Sequence, residues 1–152
     1  MAMKKIVVAI TGSIAAYKSA HLVRLFKKSG CDVRVIMTQS AKEFITPMTL
    51  QALSGHPVVD DILDPTHEMG MGHIELSRWA DALIIAPCSA NMIAKLANGI
   101  ADDLVSAMCL ASPQKIYIAP SMNRFMWSNP MTQTNLDKLI ASGLYQLLSP
   151  AD

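Results

Sequence analysis

The chain has 152 residues, enough for one domain that buries about 70% of its unfolded surface without disulfide or metal staples. Hydrophobic residues make up 51% and charged residues 16%, the formal net charge is +1, and the mean hydropathy is +0.30. The two signs of charge are interspersed, which argues against a nucleic-acid or anionic-membrane partner. No apolar run reaches the roughly 18 residues that span a bilayer, and Lys4 and Lys5 lead directly into an apolar strand rather than a signal sequence. Cys31, Cys88 and Cys109 are odd in number and show no CxxC spacing, a poor pattern for disulfides or zinc and a natural one for a reducing compartment. The expectation is a cytoplasmic protein with no membrane partner, whose surplus apolar surface, with 11 methionines, is covered by homo-oligomerisation.

In chain order, Lys5 to Ile10 is a continuous β-branched run, the mark of a strand buried on both faces. Thr11-Gly12-Ser13 turns the chain, and residues 14–29 carry apolar side chains at helical spacing before Gly30 ends the helix. A second strand is predicted over 31–37, then a polar turn, Thr38-Gln39-Ser40, and a helix over 41–54 whose main segment starts at Pro47. Residues 55–65 read as short strand and loop, and the Gly- and Met-rich run up to Gly72 as a flexible approach to His73. A helix over 74–80, a strand over 82–86 and a small-residue helix over 92–97 follow, and helical pattern resumes over 104–111. The chain then gives a strand over 115–119, a polar and aromatic loop from Pro120 to Pro130, a helix over 130–142 and a last strand over 145–148. Strand and helix alternate throughout. The predicted fold is therefore α/β, Rossmann-like (flavodoxin-like), a three-layer sandwich with a central parallel sheet and helices on both faces.

Four polar strand ends fall on one edge of that sheet: Gly12-Ser13, Thr38 to Ser40, Ser89 to Asn91, and Ser121 to Asn123. The carboxyl edge is where open α/β sheets bind ligands. Gly12 permits close backbone approach, and Ser13 offers a hydroxyl and an amide at a helix start, which suits a phosphate. Neither GxGxxG nor a Walker loop is present, so one phosphate with several hydroxyl and amide partners fits a mononucleotide such as FMN. Each of these residues taken singly reads as an ordinary helix cap; the set of four favours a ligand. His73 is the best candidate for proton transfer because its ordinary pKa is near neutrality. His21, His56 and His67 have weaker contexts, Asp102-Asp103 reads at least as well as a helix start, and Cys88 has no general base beside it in sequence.

Five segments together carry a resemblance: Gly12-Ser13-Ile14-Ala15-Ala16-Tyr17-Lys18, Gly72-His73-Ile74, Ala86-Pro87-Cys88-Ser89-Ala90-Asn91, Gly99-Ile100-Ala101-Asp102-Asp103-Leu104, and Pro120-Ser121-Met122-Asn123-Arg124-Phe125-Met126-Trp127. They resemble the homo-oligomeric flavin-containing cysteine decarboxylases, in particular the phosphopantothenoylcysteine decarboxylases that form the N-terminal flavoprotein domain of bacterial bifunctional coenzyme A biosynthesis proteins. The resemblance spans nearly the whole sequence and implies a single FMN-binding decarboxylase domain over residues 1–152. It implies decarboxylation of 4′-phosphopantothenoylcysteine to 4′-phosphopantetheine. In that route hydride leaves the sulfur-bearing carbon, the resulting thioaldehyde accepts the electrons freed with carbon dioxide, and the hydride returns. By matching motif, Gly12, Ser13, Ile14, Thr38, Ser40, Ser89, Ala90, Asn91, Met92 and Met122 would hold FMN. His73 would be the catalytic histidine and Asn123 would bind the substrate carboxylate.

A homotrimer with FMN between subunits, assembled in bacterial enzymes into a dodecamer, is likewise implied. Ser121 departs from the family's usual Ala. The family also continues into a substrate-covering flap with a proton-donating Cys, which neither Cys88 nor Cys109 matches, and into a synthetase domain; both are read as lacking from this sequence. Other members of the same superfamily offer alternatives: a peptidyl-cysteine oxidative decarboxylase, a flavin prenyltransferase, from which the loop at Pro120 differs, and a non-catalytic FMN-binding regulatory paralogue.

Overall fold

The computed structural model describes residues 3–60 and 73–148. Five strands, β1 (Lys5–Ile10), β2 (Asp32–Met37), β3 (Ala82–Cys88), β4 (Ile116–Pro120) and β5 (Tyr145–Leu147), form one sheet in the order β2-β1-β3-β4-β5. All neighbours pair in parallel. This is the flavodoxin-like strand order, and its direction of winding reverses between β1 and β3, which makes the crevice outside their carboxyl ends the natural ligand position. The predicted α/β architecture is borne out.

Seven helices flank the sheet among the described residues: α1 (Tyr17–Lys28), α2 (Pro47–Ser54), α3 (His73–Trp79), α4 (Ala90–Ala97), α5 (Leu104–Ala111), α6 (Arg124–Ser128) and α7 (Pro130–Ala141). Alternation along each strand sends side chains to opposite faces. Val7, Ala9, Leu83, Ile85, Ile116 and Ile118 face a core built with α3, α4, α5 and α7. Ile6, Val8, Ile10, Val33, Val35 and Met37 face the other core, under α1 and α2. Each such Val or Ile contributes about 1.5–3 kcal/mol on burial, so β1, lined by side chains on both faces, is anchored hardest. Only Lys5 at its amino end is exposed.

Local signals set the boundaries. Gly30 takes φ +90°, the left-handed conformation that lets α1 turn into β2. Pro47 sits in the first turn of α2, and the Thr46 side chain accepts from the Thr49 N–H. The single helix expected over 14–29 is divided: a tight turn, Ile14–Ala16, precedes α1. The helix expected over 41–54 is likewise a tight turn, Ser40–Glu43, followed by α2. The short strand expected after Gly55 is an isolated parallel bridge from Val59 to Ile36. His67 and the approach to His73 lie outside the described residues. Among the described residues no helix is long and apolar enough to cross a membrane.

Candidate functional site at the carboxyl edge of the sheet

Thr11, the residue after β1, fastens the switch point. Its buried hydroxyl donates to the Pro87 carbonyl at 2.6 Å and accepts from the Ser89 N–H at 3.0 Å. The ends of β1 and β3 are thereby held in register 76 residues apart in sequence. Reading Thr11 as part of a turn missed this role; a β-branched polar residue directly after a buried run was the available signal. The ends of β3 and β4 are joined in turn by the Ser121 N–H, which donates to the Cys88 carbonyl at 3.0 Å.

Beside Thr11, the ends of β1 and β4 meet through hydroxyls, and the end of β2 carries a hydroxyl pair of its own. Ser13 Oγ accepts from the Ala15 N–H at 3.1 Å, capping the turn Ile14–Ala16, and lies 3.0 Å from Ser121 Oγ. Thr38 is buried, accepts from the Ala41 N–H at 3.2 Å and pairs with Ser40 Oγ at 3.1 Å. Gly12 links the two groups in a way its sequence context did not suggest. A Cβ there would stand 2.7 Å from Ser40 Oγ and 2.8 Å from Ser40 Cβ. The absent side chain makes room for Ser40, so the close approach at Gly12 is made by this chain's own second strand end. Ile14 is 83% exposed beside this group.

At the third strand end, Ser89 Oγ accepts from the Met92 N–H at 3.1 Å and caps α4. Met92 is buried in the core, so its contact with a ligand would have to be through the backbone, and its N–H is already engaged. Ala90 is half-buried and Asn91 exposed at the edge. Cys88 is fully buried, and burial pushes its thiol far above the ordinary range, which disfavours the thiolate that a nucleophile needs. Cys109 is shifted upward by its burial, with Cys88 and Asp103 adding to the effect.

The segment from Pro120 to Pro130 contains α6, where sequence reading expected loop. Asn123 caps it, its Oδ1 accepting from the Met126 N–H at 2.9 Å. That bond engages the amide oxygen and leaves both Nδ2 protons of an exposed side chain without a partner among the described residues. Trp127 packs with Met122 against the core, and Gln133 Nε2 donates to its carbonyl at 2.6 Å. Five residues with Phe125 74% exposed and no buried member gave no amphipathic pattern to read, although Asn123 three places before Met126 was a usable cap signal. His73 is the first residue of α3, which is anchored to the core by Leu76; its side chain lies outside the description.

Met122, Ser121, Pro120 and Trp127 also form one end of an open cleft of about 820 Å³ that runs under α1, past Leu22 and Phe26. The strand-end residues 11–13, 38–40, 88–91 and 120–123 include no carboxylate. This edge therefore presents hydroxyl and amide donors to a ligand rich in oxygen acceptors, with methionine and tryptophan as an apolar wall. Among the described residues no group of three or more His, Cys, Asp or Glu could hold a metal ion.

Asp102 and Asp103 are elsewhere and serve structure. Asp103 caps α5 reciprocally with Ser106, and Lys95 bonds Asp103 at 2.7 Å and Asp102 at 2.9 Å. His56 pairs with Asp32 at 3.0 Å on the opposite side of β2 from its carboxyl end, and His21 lines the cleft from α1.

Comparison with known proteins agrees with this geometry. The chain is 53% identical over 144 residues to the coenzyme A biosynthesis bifunctional protein CoaBC of Escherichia coli K12, a match covering 95% of this chain and 36% of that protein. It thus spans about a third of the length of such bifunctional relatives. It is 44% identical to a probable phosphopantothenoylcysteine decarboxylase of Streptococcus mutans, covering 97% of this chain and 83% of the relative. Among solved structures, the FMN-dependent cysteine decarboxylase SpaF superposes with a TM-score of 0.88 at 37% identity, covering 98% of this chain and 85% of SpaF. The Flavoprotein family profile matches residues 1–152, and with the hydroxyl-lined carboxyl edge of a flavodoxin-like sheet already in place, the chain belongs to the flavoprotein family.

Proposed function

We propose that this chain is the FMN-dependent phosphopantothenoylcysteine decarboxylase module of coenzyme A biosynthesis, converting 4′-phosphopantothenoylcysteine to 4′-phosphopantetheine. The observation that carries the reading is the cluster of strand ends in which Ser13 of the β1 end pairs with Ser121 of the β4 end, Thr38 pairs with Ser40 within the β2 end, and Ser40 packs on Gly12. The level of identity to relatives named for this pathway supports the same substrate.

The donor set fits FMN. Gly12, Ser13 and Ile14 would meet it from the first strand end, Thr38 and Ser40 from the second, Ser89 to Met92 from the third, Met92 by its backbone alone because its side chain is in the core, and Met122 from the fourth. When bound, FMN supplies the reversible two-electron acceptor that decarboxylation of a cysteine amide otherwise lacks. The protein's part is positioning. Asn123, with Oδ1 held by the Met126 N–H, turns both Nδ2 protons to the substrate carboxylate and fixes it for loss, because a carboxylate offers acceptors only. His73, at the start of α3, handles the thiol proton of the substrate. The apolar wall of Met122 and Trp127 keeps water from the sulfur-bearing carbon.

Further parts of the reading come from the family resemblance. The active form is a homotrimer, further assembled into a dodecamer, in the cytoplasm, with FMN between subunits and a synthetase domain on the same polypeptide. Exposed Ile14, Tyr17, Phe125 and Met131 at 64–83% are the apolar surface such an assembly would cover.

The test is an absorbance spectrum of the purified protein with added FMN, then anaerobic addition of 4′-phosphopantothenoylcysteine with carbon dioxide measured. The expected result is a yellow protein that releases carbon dioxide from this substrate and not from a peptide ending in cysteine. His73→Asn should keep the flavin and lose carbon dioxide release by a factor of about 100 or more. A protein that takes up no FMN, or a His73→Asn variant that decarboxylates normally, overturns the assignment.

A further inference from the structure

The Ser13–Ser121 pair carries a consequence beyond the residues assigned above, and it rests on the FMN reading. Two hydroxyls hold two protons, and one of these lies in the 3.0 Å bond between them. Ser13 Oγ already accepts the Ala15 N–H at 3.1 Å, from the first turn after β1. An oxygen that accepts a hydrogen bond becomes a better donor of its own proton. Either hydroxyl can donate in this pair, and the Ala15 bond favours the order Ala15 N–H to Ser13 O–H to Ser121 O–H, in which Ser121 keeps a proton with no acceptor among the described residues. Ser121 is half-buried at the site edge, lines the cleft, and its backbone N–H is fixed on the Cys88 carbonyl. Its hydroxyl is therefore a terminal donor held at a defined place.

We propose that Ser121 is a cofactor-binding residue, the last donor of a three-member relay that starts at the Ala15 amide and ends on an oxygen of FMN. An Ala at this position would leave Ser13 to donate alone, from the β1 side only. The relay makes the two hydroxyls act as one group, which distinguishes it from two independent contacts.

The experiment is a titration of apo-protein with FMN and, separately, riboflavin, followed by flavin fluorescence, for the unsubstituted protein, Ser121→Ala, Ser13→Ala and the double variant. Ser121→Ala should weaken FMN binding roughly tenfold, as expected for loss of one bond to a polar or charged acceptor. The apo-protein should stay folded with its Tm lowered by no more than a few degrees, as expected for loss of the one Ser13–Ser121 bond, and Ser121→Thr, which keeps the hydroxyl, should recover most of the affinity. In the double variant the two losses should be less than additive, since breaking either link disables the relay. Loss confined to FMN assigns the acceptor oxygen to the phosphate, and equal loss with riboflavin assigns it to the ribityl chain or ring; both support the relay. If the unsubstituted protein binds FMN and Ser121→Ala binds it equally well, or if the two losses simply add, the relay is wrong and the function stands. If the unsubstituted protein does not bind FMN, the functional reading falls and the relay with it.

Discussion

Two dense polar clusters sit on this fold, and they differ in what they leave over. Around Lys95 the ammonium is closed on Asp102 and Asp103, the Asp103 carboxylate also accepts from the Ser106 N–H, and the Ser106 hydroxyl is closed on the Asp103 backbone. At the carboxyl edge the hydroxyls are also paired, but the pairs are open-ended. Ser13 and Ser121, and likewise Thr38 and Ser40, each share one bond between two hydroxyls, so a proton remains at every pair. The ion cluster has the stronger charges and the shorter distances, but the carboxylate oxygens it leaves over are acceptors only, which a ligand rich in acceptors cannot use. Unused hydrogen-bonding capacity at a topological switch point, more than charge, distinguishes a binding site from a structural clamp.

The sharpest way to break this contrast is at Gly12, where the open edge depends on missing volume. Gly12→Ala puts a methyl within 3.0 Å of Ser40, and the neighbour is a short side chain close to its own backbone that cannot swing away. Overpacking of this kind costs about 1–3 kcal/mol. Chemical denaturation should show that loss, and FMN binding should fall more than tenfold because Thr38 and Ser40 are displaced. Adding Ser40→Gly should restore stability without restoring FMN binding. Normal stability and affinity in Gly12→Ala would mean that the packing of Ser40 is unimportant to the edge.

The clamp is tested next at Asp103. Asp103→Ala removes a helix cap and one of the two Lys95 contacts, and should lower stability by about 1–2 kcal/mol. Asp103→Asn keeps an acceptor for the Ser106 N–H and should lose less. In both variants FMN affinity should stay within twofold of the unsubstituted protein, measured on folded material. A large affinity loss would make the clamp part of the site and erase the distinction.

What could be read from sequence follows the same division between local and distant. The runs at β1 and β3 are buried and continuously apolar, and that pattern survives without tertiary information. The strand-end residues were legible as polar interruptions at those runs. Their partners were not: Ser13 meets Ser121 across 108 residues and Thr11 meets Pro87 across 76, and no spacing rule reports such pairs. A close approach at Gly12 is legible from its missing side chain, but Ser40 as the neighbour packed there is not. Met92 was placed at the edge by its motif, whereas the helical register of α4 turns its side chain into the core. The loop at Pro120 hid α6 because a five-residue helix with no buried member has no apolar stripe to detect.

The smallest effects come from pH and sharpen the comparison without breaking either cluster. Burial alone would lower the pKa of Lys95, but its bonds to Asp103 and Asp102 outweigh this and hold it above its ordinary 10.5. A raised folded value means that this contribution is complete below 10.5 and fades as pH climbs through the folded pKa. Asp102 is held below its ordinary 3.8, chiefly by the Lys95 bond. Its contribution is complete above that value and fades as pH drops through the folded pKa. Between these limits the clamp adds no slope to stability. Unfolding measured against pH should therefore show Lys95→Met flattening both the acid and the alkaline flank, while Asp102→Asn, at a largely solvent-exposed carboxylate, leaves Tm at neutral pH within error. An Asp102→Asn variant markedly destabilised at neutral pH would show that the outer carboxylate carries the clamp. In that case Asp103 would be a helix cap with an incidental ion pair.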